Sequence, residues 1–437
     1  MRHTVPGTGM TQEDAAAATF RKITVMLIPY IFVCYLFNYL DRVNVGFAKL
    51  QMLDSLHMSE TAYGFGAGVF FLGYIAFGLP SNLILAKIGP RRWLATIMTL
   101  WGLLSTALLF VHSAPVFYVL RFLTGLAEAG FFPGMVVYLT RWFPSYRQGR
   151  AMTLFMAAIP LSGVLGGPLS GTIMGKFSGG AWGLEAWQWL FLLEGLPTVL
   201  LGLGMLVFLR DDASEVTWLT AQEKSTMQDI LQADRDAQPK QLADSFADVV
   251  RNPAIWSLGA LYFCIQSSVY AINFWLPSII KGSGFQNPET IGWLSAIPYV
   301  VACVFMVLAG RSADRQRERR WHLAVPLLMA AVGLGGAALC HGMPVLALMA
   351  LSIATAGALS GLPLFWPLVN GYLSPMAVAG GVALINSLGQ IAGFIIPYLV
   401  GWIKDATGGT QMALYCLVVL ALVGVGLVLR IPAERVR

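Results

Sequence analysis

Ile31-Phe-Val-Cys-Tyr-Leu-Phe-Asn38-Tyr-Leu-Asp41-Arg42-Val-Asn44 sets an acid and an arginine side by side near the end of an apolar run that begins at residue 23. A second apolar run carries Arg121 and Glu128, two helical turns apart. A charge at the centre of a bilayer costs about 2.5–3.5 kcal/mol on insertion scales, so charges there are tied to function or tightly paired. Four of them in two runs of an otherwise dry chain mark a polar pathway through a membrane. Such a pathway is what a transporter core is expected to contain.

The rest of the chain agrees. Of 437 residues, 57% are hydrophobic and only 11% are charged, and the mean hydropathy of +0.68 is too high for a soluble protein. A helix needs about 20 apolar residues to cross about 30 Å of hydrocarbon. Twelve such stretches stand at roughly 23–47, 60–86, 92–111, 115–141, 150–175, 187–209, 253–280, 289–310, 322–341, 344–372, 378–403 and 411–430. The expected fold is therefore an all-α membrane protein of twelve transmembrane helices. The boundaries read as a polar leader 1–22, a six-helix half 23–209, a charged linker 210–252, a second six-helix half 253–430 and a tail 431–437.

The net charge of +6 does not point to nucleic acid, because the basic residues form no single patch. Arg21, Lys22, Lys87, Arg91, Arg92 and Arg141 fall on the N-terminal side, as do Arg315, Arg319, Arg320 and Arg430; the opposite loops hold only Lys49, Lys176, Lys281 and Lys404. This bias predicts cytoplasmic termini in a bacterial-type inner membrane. The first run is full length, so no cleavable signal peptide is expected. The five cysteines have no metal-ligand spacing, and no nucleophile or phosphate-binding motif suggests an enzyme or a cofactor. Protons are the expected coupling ion.

The halves look related. Gly163 to Pro168 matches Gly389 to Pro397, Phe132-Pro133 matches Trp366-Pro367, and the basic turn Lys87-Ile-Gly-Pro-Arg91-Arg92 matches Arg315-Gln-Arg-Glu-Arg319-Arg320. Repeated halves with interrupted helices at matching positions are the architecture of rocking transporters that hold substrate near the midplane.

Gly310-Arg-Ser-Ala-Asp314-Arg315 resembles the loop motif of the major facilitator superfamily, which implies two pseudo-symmetric halves and a conformational latch at Gly310, Asp314 and Arg315. The first-half copy has Ala86 where the family carries Asp, so Asn82 with Arg91 and Arg92 is the expected partner set there. The likeness narrows at Asp41-Arg42-Val-Asn44-Val-Gly46, at Arg121-Phe-Leu-Thr-Gly125-Leu-Ala-Glu128-Ala-Gly130-Phe-Phe-Pro133, at Gly89-Pro-Arg91-Arg92-Trp93 and at Trp187-Gln-Trp189-Leu-Phe191-Leu-Leu-Glu194-Gly195. Together these resemble the anion:cation symporters, which include permeases for sugar acids, tartrate and 4-hydroxyphenylacetate. The resemblance implies proton-coupled uptake of a small organic anion by a monomer.

At 1.5 Å per residue, Glu128 lies about 20 Å and Arg121 about 10 Å below the outer end of the fourth span, on one face. Asn38, Asp41 and Arg42 are expected to share a face of the first. Burial favours a protonated carboxyl and a neighbouring arginine favours the ionised form. Asp41 and Glu128 are thus the expected proton carriers, with Arg121 or Arg42 alternating between carboxylate and substrate anion. Glu194 reads as a packing or gate residue. Tyr39 and Tyr74 in the first half, and the stripe Tyr262, Gln266, Tyr270 and Asn273 in the seventh span, can line a cavity with Trp366 and Asn386. The resemblance to sugar-acid carriers points to Tyr39, Tyr74, Arg121, Gln266 and Asn386 as substrate contacts. An exchanger or facilitator of the same fold, and an anion sensor, stay open beside symport.

Overall fold

The computed structural model describes residues 12–237, 250–316, 318–340, 342–373 and 375–432. The linker residues Lys240, Asp244 and Asp248, the tail residues Arg435 and Arg437, and Arg317 and His341 lie outside the described residues, as does leader segment 1–11.

Twelve helices among the described residues are long and apolar enough to cross a membrane. They are α1 (Asp14–Leu56), α2 (Glu60–Ile88), α3 (Pro90–Phe110), α4 (Ala114–Trp142), α5 (Ser145–Lys176) and α6 (Ala186–Phe208). The second half holds α7 (Pro253–Gly282), α8 (Pro288–Gln316), α9 (Arg320–Leu339), α10 (Pro344–Val369), α11 (Gly381–Thr407) and α12 (Gln411–Arg430). Helices suit these runs because hydrocarbon offers no partner to a backbone amide, so each segment must satisfy its own. An even number of crossings returns the chain to the side it left. We call that the terminal side, and the opposite one the far side.

The halves are joined on the terminal side by a helix at Ala221–Ala237. Thr220 and Glu223 cap its start reciprocally, Thr220 N donating to Glu223 Oε2 at 2.8 Å and Glu223 N to Thr220 Oγ1 at 3.2 Å. Lys22 pairs with Glu223 at 2.9 Å, and Ser145 N donates to Asp234 at 3.0 Å, so the linker helix is strapped to the first half.

The helix interruptions do not follow the sequence repeat. Among the described residues they fall in the first half, at Asn44 in α1, Ala129–Gly130 in α4 and Ala157 in α5, while α10 and α11 run through Pro367 and Pro397. In α4 and α5 the physical reason is shared. Pro133 and Pro160 stand at the third position of the resuming segments, where the missing amide is one of the unsatisfied donors of a helix start. In α1 the break is only a kink, since Asn44 N still donates to Leu40 O at 2.9 Å.

The halves meet between the midplane and the far side. A Cβ on Gly64 or Gly68 of α2 would stand 2.3 or 2.5 Å from the carbonyl oxygens of Pro397 and Phe394 on α11. On Gly167 of α5 it would stand 2.6 Å from Gly292 O of α8. Glycine therefore permits helix crossings that any side chain would block. Toward the terminal side, Gly78 of α2 and Gly310 of α8 face open space. The bundle is closed at the far side.

Candidate functional site

The two acid–arginine sets exchange partners in the fold. Arg42 forms its ion pair with Glu128, not with its neighbour Asp41, and Arg121 does not pair with Glu128. Helix geometry explains both corrections. Adjacent residues point about 100° apart, so Asp41 and Arg42 cannot share a face. Helical side chains also lean toward their own N-terminus. On α1 that carries Arg42 back toward the midplane and Glu128; on antiparallel α4 it carries Arg121 away from Glu128, toward the far side.

Arg42 and Glu128 are buried, and each keeps an unsatisfied atom, Nε and Oε2 respectively. The Arg42 guanidinium lies 4.9 Å from the Tyr39 ring centroid and 5.6 Å from that of Tyr74, with Phe70 at 5.4 Å between them. These aromatic faces stabilise a cation without neutralising it. The pair is therefore held but not saturated.

Asp41 turns toward α3 and α6. Trp101 Nε1 and Ser105 Oγ donate to it at 3.2 Å each, and Thr198 Oγ1 at 2.7 Å. No cation pairs with it among the described residues. Thr198, Ser105 and Trp101 escape sequence reading because single polar groups on apolar helices carry no periodic signal.

Arg121 is the most exacting residue of the site. It is fully buried; one amine reaches Ala67 O at a long 3.5 Å, the Phe70 ring lies 4.8 Å away, and Nε and Nη1 have no partner. A buried guanidinium with two idle donors is a strong pull on a carboxylate, which it can grip with both.

In the second half, Gln266 Nε2 donates to the Tyr270 hydroxyl at 3.3 Å, and that hydroxyl donates to Gln390 Oε1 at 2.5 Å. Asn273 departs from this stripe and accepts from the Tyr299 hydroxyl at 2.9 Å. Tyr270 packs across the interface, 4.5 Å between ring centroids from Phe71 of α2. Trp366 packs 5.2 Å from the Tyr262 ring. Asn386 is half-buried on α11, one turn before Gln390. Every buried charged side chain among the described residues lies in the first half.

The motif residues on the terminal side stand apart from one another. Asp314 and Arg315 are exposed and form no ion pair among the described residues, and Asn82 takes no part with Arg91 or Arg92. The acid for the first-half turn comes instead from the linker. Asp211 accepts from Arg91 N at 3.0 Å and lies 3.8 Å from Arg141, and Glu215 lies 3.6 Å from the Arg91 side chain. Asp211 thus supplies this turn with an acid, which Ala86 does not.

Sequence reading placed Lys49 in a loop as a topology anchor, but it is buried. It forms an ion pair with Glu60 at 2.5 Å and lies 3.3 Å from the Trp275 ring centroid. Glu60 also pairs with Lys404, while Asp405 accepts from Thr61 N at 2.8 Å at the start of α2. Ends of α1 and α2 are so tied to α7 and α11. This cluster closes the far side.

Comparison with known proteins accords with this architecture. Residues 31–397 match the family model described as Major Facilitator Superfamily. The chain is 45% identical over 97% of its length to the "Putative metabolite transport protein NicT" of Pseudomonas putida, covering 97% of that protein. It is 42% identical over 95% of its length to a "Putative tartrate transporter" of Agrobacterium vitis, covering 91% of that protein. Its fold matches the crystal structure of a bacterial homologue of the human lysosomal transporter Spinster, in an inward-facing and unoccupied conformation. The TM-score is 0.76 at 17% identity, over 94% of this chain and 96% of that one. With its twelve spans, its two halves and relatives that are transporters, this chain is an integral membrane transporter of small metabolites and belongs to the major facilitator superfamily.

Proposed function

We propose that the protein imports a small organic carboxylate, of the tartrate or sugar-acid class, together with protons by alternating access. One observation carries the reading: Arg121 is fully buried with two idle guanidinium donors, beside an Arg42–Glu128 pair that is itself unsaturated. A dianionic or hydroxylated acid entering between the halves meets Arg121 first. It then draws Arg42 from Glu128, and the freed carboxylate, desolvated, takes a proton. Loading of substrate and proton are thereby one event. Gln266, Tyr270, Gln390 and Asn386 offer the hydrogen bonds that a hydroxylated acid needs from the second half, and Tyr39, Tyr74 and Trp366 line its apolar flanks. The relative described as a tartrate transporter supports this substrate class.

The arginine bias of the terminal side supports cytoplasmic termini in a bacterial inner membrane. In that orientation, closure at the far side makes this the inward-facing state. The detached Gly310, Asp314 and Arg315 belong to a latch that re-forms when the terminal side closes. A single bundle contains the whole site, which suits a monomer, and the absence of a basic patch in the sequence gives nucleic acid no docking surface.

The test is uptake into proteoliposomes of labelled tartrate, a sugar acid and 4-hydroxyphenylacetate under an inward proton gradient. Accumulation of tartrate or of the sugar acid that collapses with an uncoupler is expected; accumulation of 4-hydroxyphenylacetate alone overturns the substrate class. Equilibration that ignores the gradient overturns symport in favour of a facilitator, and binding without flux overturns transport itself.

A further inference from the structure

Glu194 has no part in the scheme above, yet its surroundings are those of a proton site. It is fully buried on α6, and Ser170 Oγ of α5 donates to Oε1 at 2.7 Å. Its other oxygen, Oε2, has no hydrogen-bond partner. Asn44, at the kink of α1, faces it, and both side-chain amide atoms of Asn44 are buried and unpartnered as well. No cation pairs with Glu194 among the described residues. Asp41 is the titratable group that acts on it electrostatically. The Thr198 hydroxyl that donates to Asp41 at 2.7 Å also lies 3.4 Å from Glu194 O, one turn earlier on the same helix. Trp101 and Ser105 of α3, which hold Asp41, and Ser170 of α5, which holds Glu194, carry no charge.

A carboxylate in this place would be stripped of water and close to a second carboxylate, with no cation for either among the described residues. A proton on Oε2 removes each conflict. The group then becomes a donor, and the neighbouring Asn44 side chain has an amide oxygen with no other partner.

We propose that Glu194 binds and releases a proton in the transport cycle, forming with Asp41 a two-carboxylate site completed by Asn44, Ser170 and Thr198. The proton arrives from water on one side and leaves to water on the other, and no other bond changes. This rests on the proton-symport reading and extends it beyond Glu128.

The test uses the full chain in liposomes. Infrared difference spectra taken while pH is raised are expected to show a protonated-carboxyl band that is lost, and this band is absent in Glu194→Gln. In parallel, proton entry driven by tartrate is expected to fall by one proton per tartrate in Glu194→Gln, with tartrate counterflow retained. An unchanged band and stoichiometry in Glu194→Gln, with proton-coupled wild-type uptake, overturns the role of Glu194 and leaves symport intact. Wild-type flux without proton entry overturns both, as does flux that follows sodium instead, which would reassign these oxygens to a cation. If Glu194→Gln does not fold, Ser170→Ala serves: removing the donor must shift the band, and an unmoved band overturns the proposal.

Discussion

Arg42 and Arg121 differ less in type than in what surrounds them, and the difference predicts distinct failures. Arg42 already has an anion, Glu128, so its work is an exchange of partners; Arg121 has none, so its work is binding. Glu128→Gln is therefore expected to abolish uphill uptake, by tenfold or more, while tartrate counterflow persists, since a neutral amide carries no proton but still fills the space. Loss of both activities together would make Glu128 a structural partner only. Arg121→Lys keeps the charge but loses the planar fork that grips a carboxylate. Tartrate affinity measured by calorimetry should weaken about tenfold, or ~1.4 kcal/mol, at unchanged melting temperature. Asp41→Asn is a harsher change than it looks. Trp101, Ser105 and Thr198 all donate to Asp41, and an amide NH2 must turn toward at least one of them; a hydroxyl so faced can accept only by turning its own proton away from residue 41. Leaving a buried donor unmet costs about 1–3 kcal/mol, so this variant should melt earlier, and Thr198→Ala, which removes one opposing donor, should recover part of the loss.

At the scale of elements, hydropathy alone carries the twelve helices and the linker, because lipid enforces a minimum apolar length that nothing else in a chain imitates. The four buried charges at Asp41, Arg42, Arg121 and Glu128 are legible for the same reason. Their pairing is not, since it depends on helices α1 and α4 running antiparallel and on each side chain leaning toward its own N-terminus. Lys49 is misread because a lysine near a span end is ordinarily an anchor; only the fold brings Glu60 and Trp275 onto it. Thr220 and Glu223 are spaced for a capping box, and the structure adds Lys22. Partial burial acts against ionisation of Glu223, but Lys22 and the Thr220 donors outweigh it and hold its carboxyl below the usual carboxylate range. A carboxyl so depressed lends its full support above the unfolded value, near 4.3, and loses it as pH falls through the folded value. The partners are substantially exposed, so the support is small, roughly 0.5 kcal/mol. Hydrogen exchange of residues 221–237, corrected for intrinsic rates, should rise as pH falls below about 4, and Glu223→Gln should show the faster exchange already at neutral pH. No difference between variant and wild type at neutral pH would mean that packing alone holds the linker helix.

For the whole molecule, one helix joins gate to site. The N-terminal end of α2 carries Glu60, which holds Lys49 and Lys404, and its backbone amides at Glu60 and Thr61 are held by Asp405. Two to four turns on, the same helix presents Ala67, Phe70 and Tyr74 to the two arginines. Opening the far side therefore has to break the Glu60 cluster and move the walls of the anion site together. Replacing Glu60 by Gln leaves two ammonium groups facing each other, Lys49 among them buried against Trp275. Breaking such a pair by removing one partner costs up to about 3–5 kcal/mol, enough to move a two-state equilibrium most of the way from one side to the other. The expected consequence is a shift toward the far-side-open state. Spin labels at His57→Cys and Ala406→Cys, on opposite halves and in a background without the native cysteines, report it by pulsed dipolar spectroscopy. The distance should lengthen in Glu60→Gln and stay near the wild-type value in Glu60→Asp, which retains the charge. Equal distance distributions in Glu60→Gln and wild type would mean that the glycine crossings of α2 with α11 and α5 with α8, and not the ion pairs, hold the far side shut.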